Sequence, residues 1–281
     1  MTLTRETLPP LIEELSHSKN GERRSLERDA FEFFISLLDG GFIRAAEFLD
    51  GDWKVNSWVK KGILLGFKLG ALERVPNVAP MSFFDKDTLP LKDFRKSGNV
   101  RIVPGGTSVR RGAYISPGVV LMPPSYVNIG AYIGTGTMVD SHALVGSCAQ
   151  IGERIHISAA AQIGGVLEPI GALPVIIEDD VMVGGNCGIY DGTIVKKRAV
   201  LGAGVYLTSS MSLYDCVNER IISRSESGSL VVPENAVVVA GSRVLAADFG
   251  RAHGLAMYTP LIIKYRDSQT DAKTALESAL R

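Results

Sequence analysis

The chain has 281 residues, and Lys+Arg and Asp+Glu both count 30, so its formal net charge is zero. That balance excludes the basic excess of a typical nucleic-acid binder. Hydrophobic residues make up 46% but aromatic residues only 7%, with 30 glycines, so the apolar mass is aliphatic and interleaved with glycine, which excludes disorder and, with no Gly-X-Y period, collagen.

The first segment, MTLTRETLPPLIEELSHSKNGERR, has no basic stretch followed by a long apolar one, so no signal peptide is expected. No stretch approaches the roughly 18 uninterrupted apolar residues of a membrane span. The expectation is a soluble cytoplasmic protein. Cys148, Cys187 and Cys216 lie far apart without C-x-x-C spacing, which argues against a disulfide framework or a cysteine zinc site. The four histidines (His17, His142, His156, His253) show no spacing that gathers three zinc ligands, so no metal is expected.

Residues 1–100 read as an N-terminal helical domain with a connector. Leu11, Ile12 and Leu15, then Phe31, Phe34, Ile35 and Leu38, recur at helical intervals, and Gly40-Gly41 ends the second segment. The pattern predicts a third helix over Ile43 to Leu49 and a fourth from Val55 to about Lys68. Arg and Lys in this region read as solvated helix faces. Pro76, Pro80 and Pro90 mark an irregular connector.

Residues 101–246 follow another rule. Val103, Val109, Ile115, Leu121, Val127, Ile133, Val139, Val145, Ile151, Ile157 and Ile163 stand at a constant spacing of six. Four residues after most of them comes a small side chain, as at Ala113, Ala131, Ala143, Ala149 and Ala161, and glycine often follows directly, as at Gly134, Gly146, Gly152 and Gly164. The period resumes at Ile177, Val183, Ile189, Val195, Leu201 and Leu207, with a weaker set at Val232, Val238 and Val244. The segment GGVLEPIGALPV therefore holds a loop, and Asn218 to Ser229 is a polar excursion. A period of six fits neither a helix nor an alternating strand. It fits stacked coils in which each hexad supplies one short strand, one inward aliphatic and one tight corner.

This pattern resembles the left-handed parallel β-helix of hexapeptide acyltransferases, three hexads to a coil; the handedness comes from the resemblance. The segments GAYISPGVVLMPPSYVNIGAYIGTGTMVDSHALVGSCAQIG (112–152), IGGVLEP (163–169), IIEDD (176–180) and IRAAEFLDGDWKVNSWVKKGILLGF (43–67) resemble the tetrahydrodipicolinate N-succinyltransferase family. The fold implied is mainly β, a left-handed parallel β-helix of hexapeptide repeats with an N-terminal α-helical domain and, over 247–281, a short C-terminal strand and helix segment. The activity implied is transfer of succinyl from succinyl-CoA, as co-substrate and without a permanently bound cofactor, to the amine of L-2-amino-6-oxopimelate, within a homotrimer whose sites lie between neighbouring coils. Nothing in the coil alone distinguishes this from an N-acetyltransferase on a similar amino acid, or from a non-catalytic β-helix scaffold.

Amide formation needs a base for the amine, donors for the thioester oxyanion and cations for the acceptor carboxylates. Arg110, in VRRGAY, matches the family's carboxylate-binding Arg; without the match it reads as a surface Arg. Asp140, in TMVD, matches the family's active-site Asp and is expected to face outward and bind or deprotonate the amine; otherwise it is a turn-capping Asp. Arg110 and Asp140 are 30 residues apart, which at 18 per coil puts them on different faces of one prism, so a second subunit is the simplest way to unite them. Glu168 lies in the loop, a catalytic candidate or a plain surface residue, and Gly164 and Gly165 offer backbone N–H groups to the thioester or pantetheine. Lys264, in YTPLIIKYRD, matches a family Lys and is a candidate for CoA phosphates, or simply solvated. The sequence DAKTALESAL reads as a short helix.

Two departures from the family's pattern stand out. Many members read T-W after the TMVD aspartate, where this chain has Ser141-His142, so His142 is a rival base. Many read G-A-R-S-E-x-x-E-G where this chain runs Gly184 to Gly192, so Gly188 stands at a proposed catalytic Glu and Asp191 at the second acid.

Overall fold

The computed structural model describes residues 3–17, 24–75, 83–94, 99–226 and 228–267. The C-terminal helix expected over DAKTALESAL lies outside them. Six coils stack by parallel pairing at a step of 18 residues, as in Tyr132↔Gln150 and Met138↔His156, lengthened across the inserted loop (Gln150↔Ile176) and the polar excursion (Ile194↔Val231). Each coil has three two-residue rungs, which form three flat faces. Face A runs through Val120–Leu121, Met138–Val139, His156–Ile157 and Met182–Val183. Face B runs through Ser108–Val109, Tyr126–Val127, Leu144–Val145, Gln162–Ile163, Gly188–Ile189 and Tyr206–Leu207. Face C runs through Tyr114–Ile115, Tyr132–Ile133, Gln150–Ile151, Ile176–Ile177, Ile194–Val195 and Val231–Val232.

The second residue of each rung points inward, and these aliphatics form one buried column with the corner alanines. The corners carry a further rule. The third residue after the inward one has a positive φ at His142, Cys148, Arg154, Ala160, Asp180, Asn186 and Arg198. That left-handed conformation turns the chain through each corner and is tolerated there by residues other than glycine.

The first rung shifts by one residue. Ile102, not Val103, pairs with Leu121 and packs against the core. The Gly105-Gly106 pair supplies the extra residue in that coil. Val244 also leaves the ladder: it ends the long strand Ala236–Val244 and is exposed.

The helical domain comprises α1 (Leu8–His17), α2 (Arg24–Asp39) and α3 (Ser57–Leu69). The third predicted helix is instead a strand pair, Ala46–Leu49 with Asp52–Val55, turning at Asp50-Gly51, both with positive φ. Its helical spacing gave way to that turn and to docking on face C, where Trp53 Nε1 donates to Glu178 Oε1 (3.0 Å). The connector contains a second hairpin, Leu72–Val75 with Phe83–Lys86. Ile129 and Cys148 of the coil enter the core of the helical domain, and burial pushes the Cys148 thiol up to about 12. Lys60 corrects the reading of solvated cations: it is fully buried, and its Nζ donates to Ala172 O of the inserted loop (2.6 Å). No helix among the described residues is long and apolar enough to cross a membrane.

The C-terminal strand Ala256–Tyr265 pairs antiparallel with Ala236–Val244 and extends face A. It is tied to the strand Leu213–Asp215 through Asp215. Burial alone would raise this carboxyl's pKa, but Asn218, Tyr265 Oη (2.7 Å) and Arg220 donate to it and hold it well below the ordinary carboxylate range. An unfolded chain protonates the group near pH 4, whereas the folded chain does not, so its stabilisation is full above that pH and is lost as pH falls through the depressed folded value. Asp215→Asn should cost on the order of 3 kcal/mol at neutral pH and flatten the acid dependence of stability, as read by urea unfolding at neutral and acid pH.

Candidate active site

Arg110 follows the rung Ser108–Val109 on face B and is held beneath the second hairpin. Its Nε donates to Tyr126 Oη (2.7 Å) and its Nη1 to Leu89 O (3.1 Å), while Nη2 pairs with Asp85 Oδ2 (2.9 Å). The side chain is 18% exposed, so it is no free surface Arg. A carboxylate of the hairpin thus pairs with one nitrogen of the guanidinium, and the other two are bound to Tyr126 and Leu89.

Asp140 stands one coil and two hexads further along, at the corner from face A to face B. About 1.7 rises of about 4.8 Å give an axial offset of roughly 8 Å from Arg110. Its Oδ1 accepts the Ser141 N–H (2.7 Å), and its Oδ2 lies 3.5 Å from His156 Nε2. The carboxylate is 29% exposed and faces outward as expected. The histidine beside it is therefore not His142. That residue occupies the same corner two positions on, at φ 62°, is exposed, and accepts at its carbonyl from Gln162 Nε2 (3.4 Å). His156 reaches Asp140 because the 18-residue step sets its rung directly on that of Met138.

Glu168 is exposed on the inserted loop. The loop lies back on the coil: Val166 N donates to Ser147 O (3.2 Å), and Leu167 packs against the helical core. The Gly164 N–H donates to Ile189 O (2.8 Å), so it is committed to the ladder and does not face a thioester. A Cβ on Gly146 would stand 2.2 Å from Gly165 N, and one on Gly165 would stand 2.6 Å from Ser147 N. Close approach of adjacent coils is what requires glycine there. Lys264 is partly exposed and pairs with Asp267 Oδ2 (3.0 Å).

Gly188 sits on face B under aromatic cover. A Cβ there would be 2.6 Å from Tyr190 Cε2, 2.8 Å from Tyr190 Oη and 2.7 Å from Tyr206 Cδ1. Tyr258 closes the group: its Oη accepts from Tyr206 N (2.7 Å) and donates to Tyr206 O (3.1 Å). Burial pushes the Tyr190 and Tyr258 phenols up, Tyr190 further by its neighbour Tyr206, so both stay protonated near neutral pH. Asp191 is an exposed corner residue at φ 53°. The sequence carried a signal for this cluster that spacing alone did not use: Tyr190 directly follows the rung of Gly188, and Tyr206 stands 18 residues on, in the next rung of the same face.

A further concave region, about 650 Å³, lies between the first hairpin and face C. Arg44 stacks on the Tyr132 ring there (3.6 Å) and donates to Gln150 Oε1 (2.9 Å), while Lys196 pairs with Glu178 (2.9 Å).

The tetrahydrodipicolinate N-succinyltransferase N-terminal family matches residues 8–69, and the hexapeptide repeat of succinyl-transferase matches residues 174–209. A 2,3,4,5-tetrahydropyridine-2,6-dicarboxylate N-succinyltransferase of Azoarcus sp. (strain BH72) is 48% identical over 261 residues, spanning 90% of this chain and 89% of that protein. Proteins of the same name from Aromatoleum aromaticum and Acinetobacter baylyi are 45% and 43% identical, each over 90% of this chain and 89% of the relative.

The tyrosine cover makes Gly188 a test of packing. Gly188→Glu should lower stability by about 1–3 kcal/mol through overpacking, and adding Tyr190→Ala should recover part of the loss. Thermal melts of the two single variants and the double variant read the coupling.

Proposed function

The chain belongs to the tetrahydrodipicolinate N-succinyltransferase family, and from that membership we propose that it transfers succinyl from succinyl-CoA to the amine of L-2-amino-6-oxopimelate. The observation that carries the proposal is the 48% identity to a relative of that name, over 90% of this chain and 89% of the relative; to it the structure adds Arg110 beside face B and the partly exposed Asp140 at the corner after face A. In this reading Arg110 binds an acceptor carboxylate, and the incoming carboxylate shares or displaces Asp85. Asp140 holds the attacking amine and takes part in its deprotonation. The two stand on different coils and faces, which supports a site completed by a neighbouring chain in a homotrimer.

The rest of the machinery is proposed with the same roles. Glu168, exposed on the loop, would meet a substrate edge, and the backbone of Gly165 would approach the pantetheine. Lys264 would exchange Asp267 for a CoA phosphate. Cytoplasmic residence follows from the CoA thioester and the acceptor being metabolites. A second reading, a β-helix scaffold that has lost activity, is favoured by one observation: the place of a proposed catalytic acid is Gly188, covered by tyrosine rings. Purified protein mixed with the acceptor and either succinyl-CoA or acetyl-CoA, followed by thiol release, separates succinyl transfer, acetyl transfer and no transfer.

Arg110→Lys keeps the charge and loses the fork. It should raise KM for the acceptor by roughly ten- to a hundredfold, the equivalent of about 1.5–3 kcal/mol, and leave KM for succinyl-CoA unchanged. A rise confined to succinyl-CoA would show that Arg110 serves the donor. Asp140→Asn should reduce kcat by roughly a hundredfold or more. His142→Asn, at an exposed corner, should reduce it less; the reverse order in steady-state assays would make His142 the base.

A further inference from the structure

We propose that His156 is the proton partner of Asp140, holding through that carboxylate the proton that the attacking amine gives up. The inference rests on the reading of Asp140 as the active-site carboxylate and adds the group that makes such a carboxylate an effective base.

Three observations carry it. His156 Nε2 and Asp140 Oδ2 are 3.5 Å apart, a small side-chain adjustment from a hydrogen bond. The Ser141 N–H fixes the other oxygen, Oδ1, and so sets the direction of Oδ2. The two groups are also ranked in depth: Asp140 is 29% exposed and His156 15%, so a substrate amine meets the carboxylate first and the imidazole lies behind it.

The groups around the pair are mostly uncharged or paired elsewhere. On the rungs next to His156 stand Met138 and Met182, which carry no charge. Ser158, uncharged, follows the rung at the start of the next corner. At the corners before the His156 and Met182 rungs, Arg154 and Asp180 pair with each other through two nitrogens (2.8 and 3.0 Å), and Arg154 also pairs with Glu153. Asp140 Oδ2 is a charged oxygen that meets the imidazole, at 3.5 Å.

The chemistry explains why two groups serve better than one. A free carboxyl titrates near pH 3.9 and a free imidazole near about 6.5, so an imidazole is the better proton acceptor from an amine. A carboxylate is the better group to orient the amine and to stabilise the imidazolium that forms. In the step proposed, the neutral amine's lone pair forms the C–N bond with the thioester carbonyl carbon. The nitrogen of the adduct then gives one proton to Asp140 Oδ2, which passes it to His156 Nε2. As the adduct collapses, the C–S bond breaks and sulfur leaves with its electron pair. That thiolate takes the same proton, so amine and thioester become amide and thiol, and the pair returns to its starting state. His156 does not touch the reacting atoms and acts as a positioning and proton-holding residue.

The test uses the full chain with succinyl-CoA and the acceptor. His156→Gln should lower kcat about a hundredfold, leave KM for succinyl-CoA unchanged and abolish the acid limb of the kcat profile between about pH 5.5 and about 9.5. In parallel, the His156 ring proton is titrated by NMR in the parent chain and in Asp140→Asn; loss of the carboxylate should move its midpoint to lower pH, because the imidazolium loses its counter-charge. A His156→Gln enzyme with parental turnover and an intact acid limb overturns the proposal. So does a His156 midpoint indifferent to Asp140→Asn, and this second measurement decides the matter even if His156→Gln does not fold. A parent chain that releases no thiol with either acyl-CoA overturns the underlying reading of the site, a failure distinct from that of the pair.

Discussion

The closure of each coil in 18 residues is the constraint on which everything else in this protein depends. One inward aliphatic per hexad and one left-handed corner three residues later return the chain to its starting azimuth one strand spacing higher. Backbone ladders and the buried aliphatic column are satisfied together only in that register. A slip of one residue would turn the inward column to solvent, which is why the extra residue at Gly105-Gly106 is absorbed in the first coil and not in the middle of the stack.

Stacking at a fixed step turns sequence separation into columns. Residues 18 apart become neighbours, so His156 lies over Met138 and comes within reach of Asp140, although sixteen residues separate the two in the chain. The same rule brings Gln162, Gly188 and Tyr206 into one row of face B, where the missing side chain of Gly188 makes room for Tyr190. The chemistry of each face is thus set by which residue type recurs in a column. A glycine in such a row marks either contact with the next coil, as at Gly146 and Gly165, or cover by a neighbouring ring.

The additions to the coil do their work by docking on these columns. The helical domain takes in Ile129 and Cys148 as part of its own core and sends the buried Lys60 to the inserted loop. Burial lowers the pKa of that ammonium, and its bond to Ala172 O is the compensation that keeps the loop against the domain. The second hairpin places Asp85 on Arg110, so the cation proposed to hold substrate is held in the free protein by a carboxylate of the same chain. The C-terminal strand closes face A and rests on the buried Asp215 network.

Residues 103–207 carried the coil in plain view, because a repeat whose every unit buries the same position leaves its period in the amino acids. The first and last turns were less legible: Ile102 replaced Val103, and Val244 left the ladder, since end coils lack a neighbour to enforce the register. The segment 43–49 shows the limit of spacing more sharply, for its helical pattern yielded to the turn at Asp50-Gly51 and to the pairing of Trp53 with Glu178, a residue 125 positions away. For the candidate site, sequence marked Arg110 and Asp140 and the departures at His142 and Gly188. Only tertiary structure decided that Asp85 sits on Arg110, that Gly164 serves the ladder, that tyrosines cover Gly188, and that His156 rather than His142 stands beside Asp140. The physical reason is that one-dimensional periodicity fixes which way a side chain points, whereas its partner is chosen by the coil stacked above or below and by the elements folded against it.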